Sequence, residues 1–151
     1  TCISSAVDRL AGYYQALQDY QIPFDPDLVQ TISITAGKNL AGKKQILLAR
    51  QDYTAVLAFS DLIALEAIDI LNENGRRVPE DVSVIGFDNI QSQFMLPTHL
   101  TSISTAKSAL ASRAVELLIS RIEQPDPSAK PVQIVLPARL VQRQTAQRLR
   151  Q

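Results

Sequence analysis

The stretch Val82 to Asn89, V-S-V-I-G-F-D-N, constrains the fold of this chain more than any other. Its apolar run does not alternate with polar residues, the pattern of a strand covered by helices on both faces of a parallel sheet. It closes on a glycine, an aromatic, a carboxylate and an amide, so the strand's carboxyl end carries Asp88 into a loop. Tyr53 to Asp61, Y-T-A-V-L-A-F-S-D, repeats the design upstream. Between the two, Leu62, Leu65, Ile68 and Leu71 recur at helical spacing, Asp61 is placed to cap that helix, and Asn74-Gly75 stops it. Thr54 to Asp88 thus spells strand, helix, strand over about 35 residues, the size of one βαβ unit. The expected fold class is α/β, a parallel sheet flanked by helices in three layers.

In open parallel sheets, ligands bind outside the carboxyl ends of the strands. Two such ends here are polar, Ser60-Asp61 and Asp88-Asn89. If their strands are neighbours, Ser60 and Asp88 project toward one crevice. A carboxylate, a hydroxyl and an arginine together form a hydrogen-bonding set suited to hydroxyl-rich small molecules.

The flanking segments read as scaffold. Ser5 to Asp8 fits a helix-start box, and Ala6, Leu10, Tyr13, Leu17 and Tyr20 give one apolar face with Arg9 beside it. Leu28 to Ile34 reads as a strand, Thr35 to Asn39 as a loop around Gly37, and Leu40 to Arg50 as a helix. After Asp88 the periodicity lapses. The loop from Ile90 to Pro97 shows three large apolar residues in a row, Phe94, Met95 and Leu96, which marks a partner contact. Leu100 to Ile103 is an expected strand. Ser104 or Thr105 starts a helix whose stripe is Leu110, Ala114, Leu117, Leu118 and Ile122. Val132 to Leu136 and Leu140 to Gln142 are two further expected strands.

Composition excludes several functions. Fifteen basic and fifteen acidic residues cancel, which removes the footprint of a nucleic-acid-binding surface. The arginines of the tail, Arg139, Arg143, Arg148 and Arg150, read as a solvated end. One cysteine, Cys2, and one histidine, His99, leave no disulfide and no zinc spacing, so no metal and no cofactor are expected. The most apolar window, Tyr53 to Leu71, is interrupted by Asp61, Glu66 and Asp69 and is not a membrane span. A triad of Ser60, His99 and Asp88 lacks the G-x-S-x-G turn, and neither G-x-G-x-x-G nor a phosphate-binding G-x-x-x-x-G-K-[ST] occurs. A binding domain is expected rather than an enzyme.

Thr54 to Asp88 resembles the effector-binding core of the LacI/GalR transcriptional regulators, above all at V-P-E-D-V-S-V-I-G-F-D. So do Asp8 to Leu17, D-R-L-A-G-Y-Y-Q-A-L, Leu100 to Ile103, and the closing L-P-A-R-L-V-Q-R-Q-T, Leu136 to Thr145. The resemblance implies a periplasmic-binding-protein-like core of two subdomains with a small effector, a sugar or related metabolite, between them. It implies effector contacts at Arg9, Ser60 and Asp88. It implies a homodimer through Leu62, Leu65 and Glu66 on one helix and Phe94, Met95 and Leu96 on the loop. Thr1 to Ser104 and Pro137 to Thr145 would belong to the second subdomain, and Thr105 to Leu136 would cross back to the first. The DNA-binding headpiece would precede Thr1, making the chain part of a cytoplasmic repressor that binds operator DNA. Ser60 stands where the family commonly has asparagine, and Gly37 near where sugar-responding members place an aromatic. The alternative on this fold is a periplasmic receptor handing solute to a transporter.

Overall fold

The computed structural model describes residues 4–31, 40–125, 128 and 130–148. Its elements are α1 (Ser4–Asp19), α2 (Leu40–Leu48), β1 (Ala55–Leu57), α3 (Asp61–Glu73), β2 (Ser83–Phe87), β3 (Thr101–Ser104), α4 (Lys107–Glu123) and β4 (Arg139–Val141). Single 3-10 turns lie at Pro26–Leu28 and Ile90–Ser92. The four strands form one sheet in the order β1-β2-β3-β4. β1, β2 and β3 are parallel, with Val56 opposite Val84 and Ile85 opposite Thr101. The strand–helix–strand unit read from the sequence is therefore present.

β4 departs from the expected parallel sheet. It runs antiparallel to β3, with Ile103 opposite Leu140, an arrangement common at the edge of parallel sheets. Side-chain pattern identifies a strand but says nothing of its direction.

The core lies between α3 and the sheet. Ala58, Ala64, Ile68, Leu71, Val82, Val84 and Leu100 form one buried cluster, and Tyr53, Val56, Ile63, Leu65 and Val78 pack on its margin. Burying a side chain such as Leu71, Val82 or Leu100, all fully enclosed, contributes about 2 kcal/mol. α2 stacks on α3, where Lys43 pairs with Glu66. Gly75, with φ +77°, ends α3 in the left-handed region that glycine adopts without strain. The polar turn that follows is locked by Asp81, which accepts both the backbone N–H and the guanidinium of Arg77 at 2.8 Å. Arg77 holds the Asp81 carboxyl down at about 2.

Other expectations fail for local reasons. α1 starts at Ser4, so Ser5 lies inside the helix and does not cap it. Leu28 belongs to the 3-10 turn that Asp25 caps through the N–H of Asp27, and not to a strand. The rest of that expected strand from Ile32, the loop at Gly37, Cys2 and Arg150 lie outside the described residues. Val132 to Leu136 forms no strand. Its β-branched residues are exposed, Val135 at 83%, and β-propensity without a partner strand to pair with does not make a ladder. α4 begins at Lys107, two or three residues later than expected, and none of its residues is buried.

Candidate ligand-binding site

Strand register assembles the site. Leu57 of β1 lies opposite Ile85 of β2, and the next N–H, that of Ala58, still donates to the Ile85 carbonyl at 2.8 Å. Two residues further along each chain, Phe59 and Phe87 reach the same level on the same face, because strand side chains repeat every second residue. α1 lays Arg9 over this pair. The guanidinium carbon stands 3.6 Å from the Phe87 ring centroid and 4.2 Å from that of Phe59. One Nη–H also donates to the Phe59 carbonyl. Ser60 and Asp88 are the residues that follow these two aromatics. The three expected contact residues therefore gather at the carboxyl ends of adjacent strands.

Ser60 takes the capping role expected of Asp61. Ser60 is the N-cap of α3, its Oγ accepting from the Ile63 N–H at 3.4 Å, while its own proton remains free to donate. Asp61 does not cap. It is 1% exposed, and its carboxylate accepts the Ser102 hydroxyl at 2.5 Å and the Ile90 N–H at 2.7 Å. This carboxylate lies directly over the β2 backbone. A Cβ built on Gly86 would come 2.2 Å from Asp61 Oδ1, so only glycine fits there.

Asp88, the residue after β2, adopts an unusual conformation. Its φ is +102°, and that of Asn89 is +49°. A non-glycine residue held at such φ costs about 1–3 kcal/mol and persists only where its surroundings over-determine it. They do so here. The Asp88 N–H donates to Ile103 C=O at 3.0 Å, and the Asn89 N–H to Ser102 Oγ at 3.0 Å. The Asn89 side-chain oxygen accepts from Arg143 at 2.7 Å, and Asp61 holds the following N–H. Among the described residues, the half-buried Asp88 carboxylate makes no hydrogen bond and no ion pair.

Sequence reasoning missed the support beneath this turn. Arg143, read as part of a solvated tail, donates to the Leu100 carbonyl at 2.6 Å as well as to Asn89. Thr145 is 2% exposed, donates to Val84 C=O at 2.7 Å and accepts the Thr101 N–H at 2.9 Å. The available signal was the polar run Q-R-Q-T directly after a strand, where sheet-edge backbone groups need partners.

Of the residues expected at a dimer contact, Leu62 is 65% exposed, Phe94 63% and Met95 fully exposed. Leu65 is half-buried against the core, Glu66 pairs with Lys43, and Leu96 is half-buried. His99 is exposed beside Gln91, 3.2 Å from its amide nitrogen, and away from any triad geometry with Ser60.

Residues 3–146 match the family described as periplasmic binding protein-like domain. The chain is 33% identical over 93% of its length to the HTH-type transcriptional regulator CelR of Thermobifida fusca, covering 41% of that protein. It is 36% identical over 80% of its length to the HTH-type transcriptional repressor PurR of Pasteurella multocida, covering 36% of it. Among solved structures, a CelR–cellobiose complex superposes with a TM-score of 0.77 at 33% identity, over 93% of this chain and 42% of that one. A ribose-bound LacI-family regulator from Enterococcus faecium gives 0.69 at 32% identity, over 91% and 50%. The chain thus spans about two fifths of the length of the curated relatives it matches. These relatives are transcriptional regulators, which favours that reading over a transport receptor and over an enzyme. The chain belongs to the periplasmic binding protein-like domain family, in the form carried by the LacI/GalR transcriptional regulators.

Proposed function

We propose that this chain is the effector-binding and dimerising part of a ligand-responsive repressor, and that Arg9, Ser60 and Asp88 contact the effector. The observation that carries the reading is the Asp88 carboxylate. It is half-buried and, among the described residues, without a protein partner, at the end of a central strand, on a strained backbone held by the hydrogen bonds of Ile103, Ser102, Arg143 and Asp61. Carboxylates placed at such cost and left unpaired serve a ligand. With a cation at Arg9 and a carboxylate at Asp88 in one site, the fitting ligand both accepts and donates hydrogen bonds. A polyhydroxylated metabolite such as a sugar does so. Operator DNA would be bound by a helix-turn-helix domain of the same regulator, as the names of the relatives indicate for them. The exposed side chains of α4, Leu110, Leu118 and Ile122 among them, fit a helix that crosses to a further subdomain. That supports assigning Thr105 to Leu136 to the first subdomain, with Thr1 to Ser104 and Pro137 to Thr145 in the second.

Asp88→Gly separates binding from folding. Glycine adopts φ +102° without strain, so thermal stability should hold or rise. Affinity for cellobiose or ribose, measured by calorimetry on the full-length protein, should fall roughly a hundredfold through loss of charge-assisted hydrogen bonds. Unchanged affinity for a sugar that the parent protein binds would remove Asp88 from the site.

A further inference from the structure

We infer that Phe59 and Phe87 are positioning residues for effector recognition, an aromatic seat that fixes the Arg9 guanidinium before the ligand arrives. The inference deepens the proposed function and depends on it for the identity of the ligand site. It stands on three features of the fold. Register puts the two rings at one level on neighbouring strands, α1 brings Arg9 over both of them, and a backbone carbonyl of the seat itself takes one guanidinium N–H.

An arginine on a helix surface samples many rotamers, and immobilising it on ligand binding costs about 0.5–1.5 kcal/mol. Here that ordering is already done. Cation–π attraction to a ring within about 6 Å contributes roughly 0.5–2 kcal/mol, rising with desolvation, and Arg9 has two such rings. The Phe59 carbonyl then fixes rotation about the guanidinium axis. The remaining N–H groups make no bond to protein among the described residues and stay in the plane that the rings and the carbonyl fix, Ser60 and Asp88 being the next residues in sequence after the two rings. A ligand that reaches both this planar donor fork and the Asp88 carboxylate needs oxygens that accept from one and donate to the other, as the hydroxyls of a polyol do. A carboxylate or phosphate ligand would satisfy Arg9 but meet Asp88 with like charge. Leucine at Phe59 or Phe87 would keep most of the apolar volume and lose the attraction.

Two measurements test the seat on the full-length protein labelled with ¹⁵N-arginine. The Arg9 Nε–H proton, assigned by its loss in Arg9→Lys, should resonate upfield of the other arginines through the ring currents. It should move toward the common position in Phe87→Leu, where only the Phe59 ring remains, and stay fully upfield in Phe87→Tyr. An Arg9 signal at the common position in the parent protein would overturn the seat, with or without a ligand in hand. By calorimetry with cellobiose and ribose, Phe87→Leu should weaken binding roughly tenfold, and Phe87→Tyr should restore it. In an Arg9→Met background, which has no cation to seat, Phe87→Leu should add nothing. A full tenfold loss persisting in that background would show that the ring acts apart from Arg9 and would also overturn the inference. Failure of both sugars to bind would count against the sugar reading of the function, while the Arg9 resonance still decides the seat.

Discussion

Gly86→Ala is expected to destabilise the protein by about 3 kcal/mol or more, an overpacking penalty at the upper end for a single methyl group. The new carbon would lie 2.2 Å from Asp61 Oδ1, and 3.1 Å from both the Asp61 Cα and a methyl carbon of Leu100. None of the three can retreat cheaply. The carboxylate is fixed by Ser102 and Ile90, the Cα belongs to the first turn of α3, and Leu100 is fully buried in the core. Asp61→Ala should cost roughly 2–5 kcal/mol by a different route, leaving the Ser102 hydroxyl and the Ile90 N–H without their acceptor. The two changes are complementary, because the methyl of one enters space vacated by the other. Equilibrium urea unfolding of the double variant should therefore show a loss smaller than the sum by more than about 1 kcal/mol. Strict additivity would mean that Gly86 is required for some reason other than the Asp61 carboxylate.

Phe94→Asp is expected to convert a homodimer into a monomer on a sizing column. The loop is tied to the start of α3. The Ile90 N–H donates to Asp61, and the Phe94 N–H donates to the Ile90 carbonyl at 3.1 Å. The exposed Phe94 and Met95 thus belong to a loop anchored beside the exposed Leu62. An apolar patch of this kind suits an isologous contact in which the same residues meet across a two-fold axis. A carboxylate at its centre would meet its own copy, adding like-charge repulsion to the loss of buried aromatic surface. Retention of the dimer would shift the contact away from this loop.

The same pair of strand ends shows what a sequence discloses and what it withholds. β1, α3 and β2 were legible because each announces itself locally, by apolar run, helical spacing and the Asn74-Gly75 stop. The polar carboxyl ends were legible because polar residues immediately after an apolar strand have few structural uses. The role of Asp61 was not, since Ser60 and Asp61 are both good caps. The choice between them is made by Ser102, 41 residues later. Arg143 was hidden in the same way, because it closes on Asn89 from 54 residues away. Local chemistry names a residue's capacities, and long-range register decides which of them is used. Val132 to Leu136 shows the converse, a strand-forming composition that finds no strand to pair with among the described residues.

The Asp88 turn joins these threads. Gly86 makes room for Asp61, Asp61 and Ser102 hold the turn, Arg143 braces Asn89, and the Asp88 carboxylate is left without a partner among the described residues. A crystal structure of the full-length protein grown with cellobiose or ribose tests this most directly. The expected result is ligand hydroxyl oxygens within about 2.6–3.2 Å of both the Asp88 carboxylate and the Arg9 guanidinium, with the Asp88 backbone unchanged. A sugar bound elsewhere, with Asp88 uncontacted, would contradict the account.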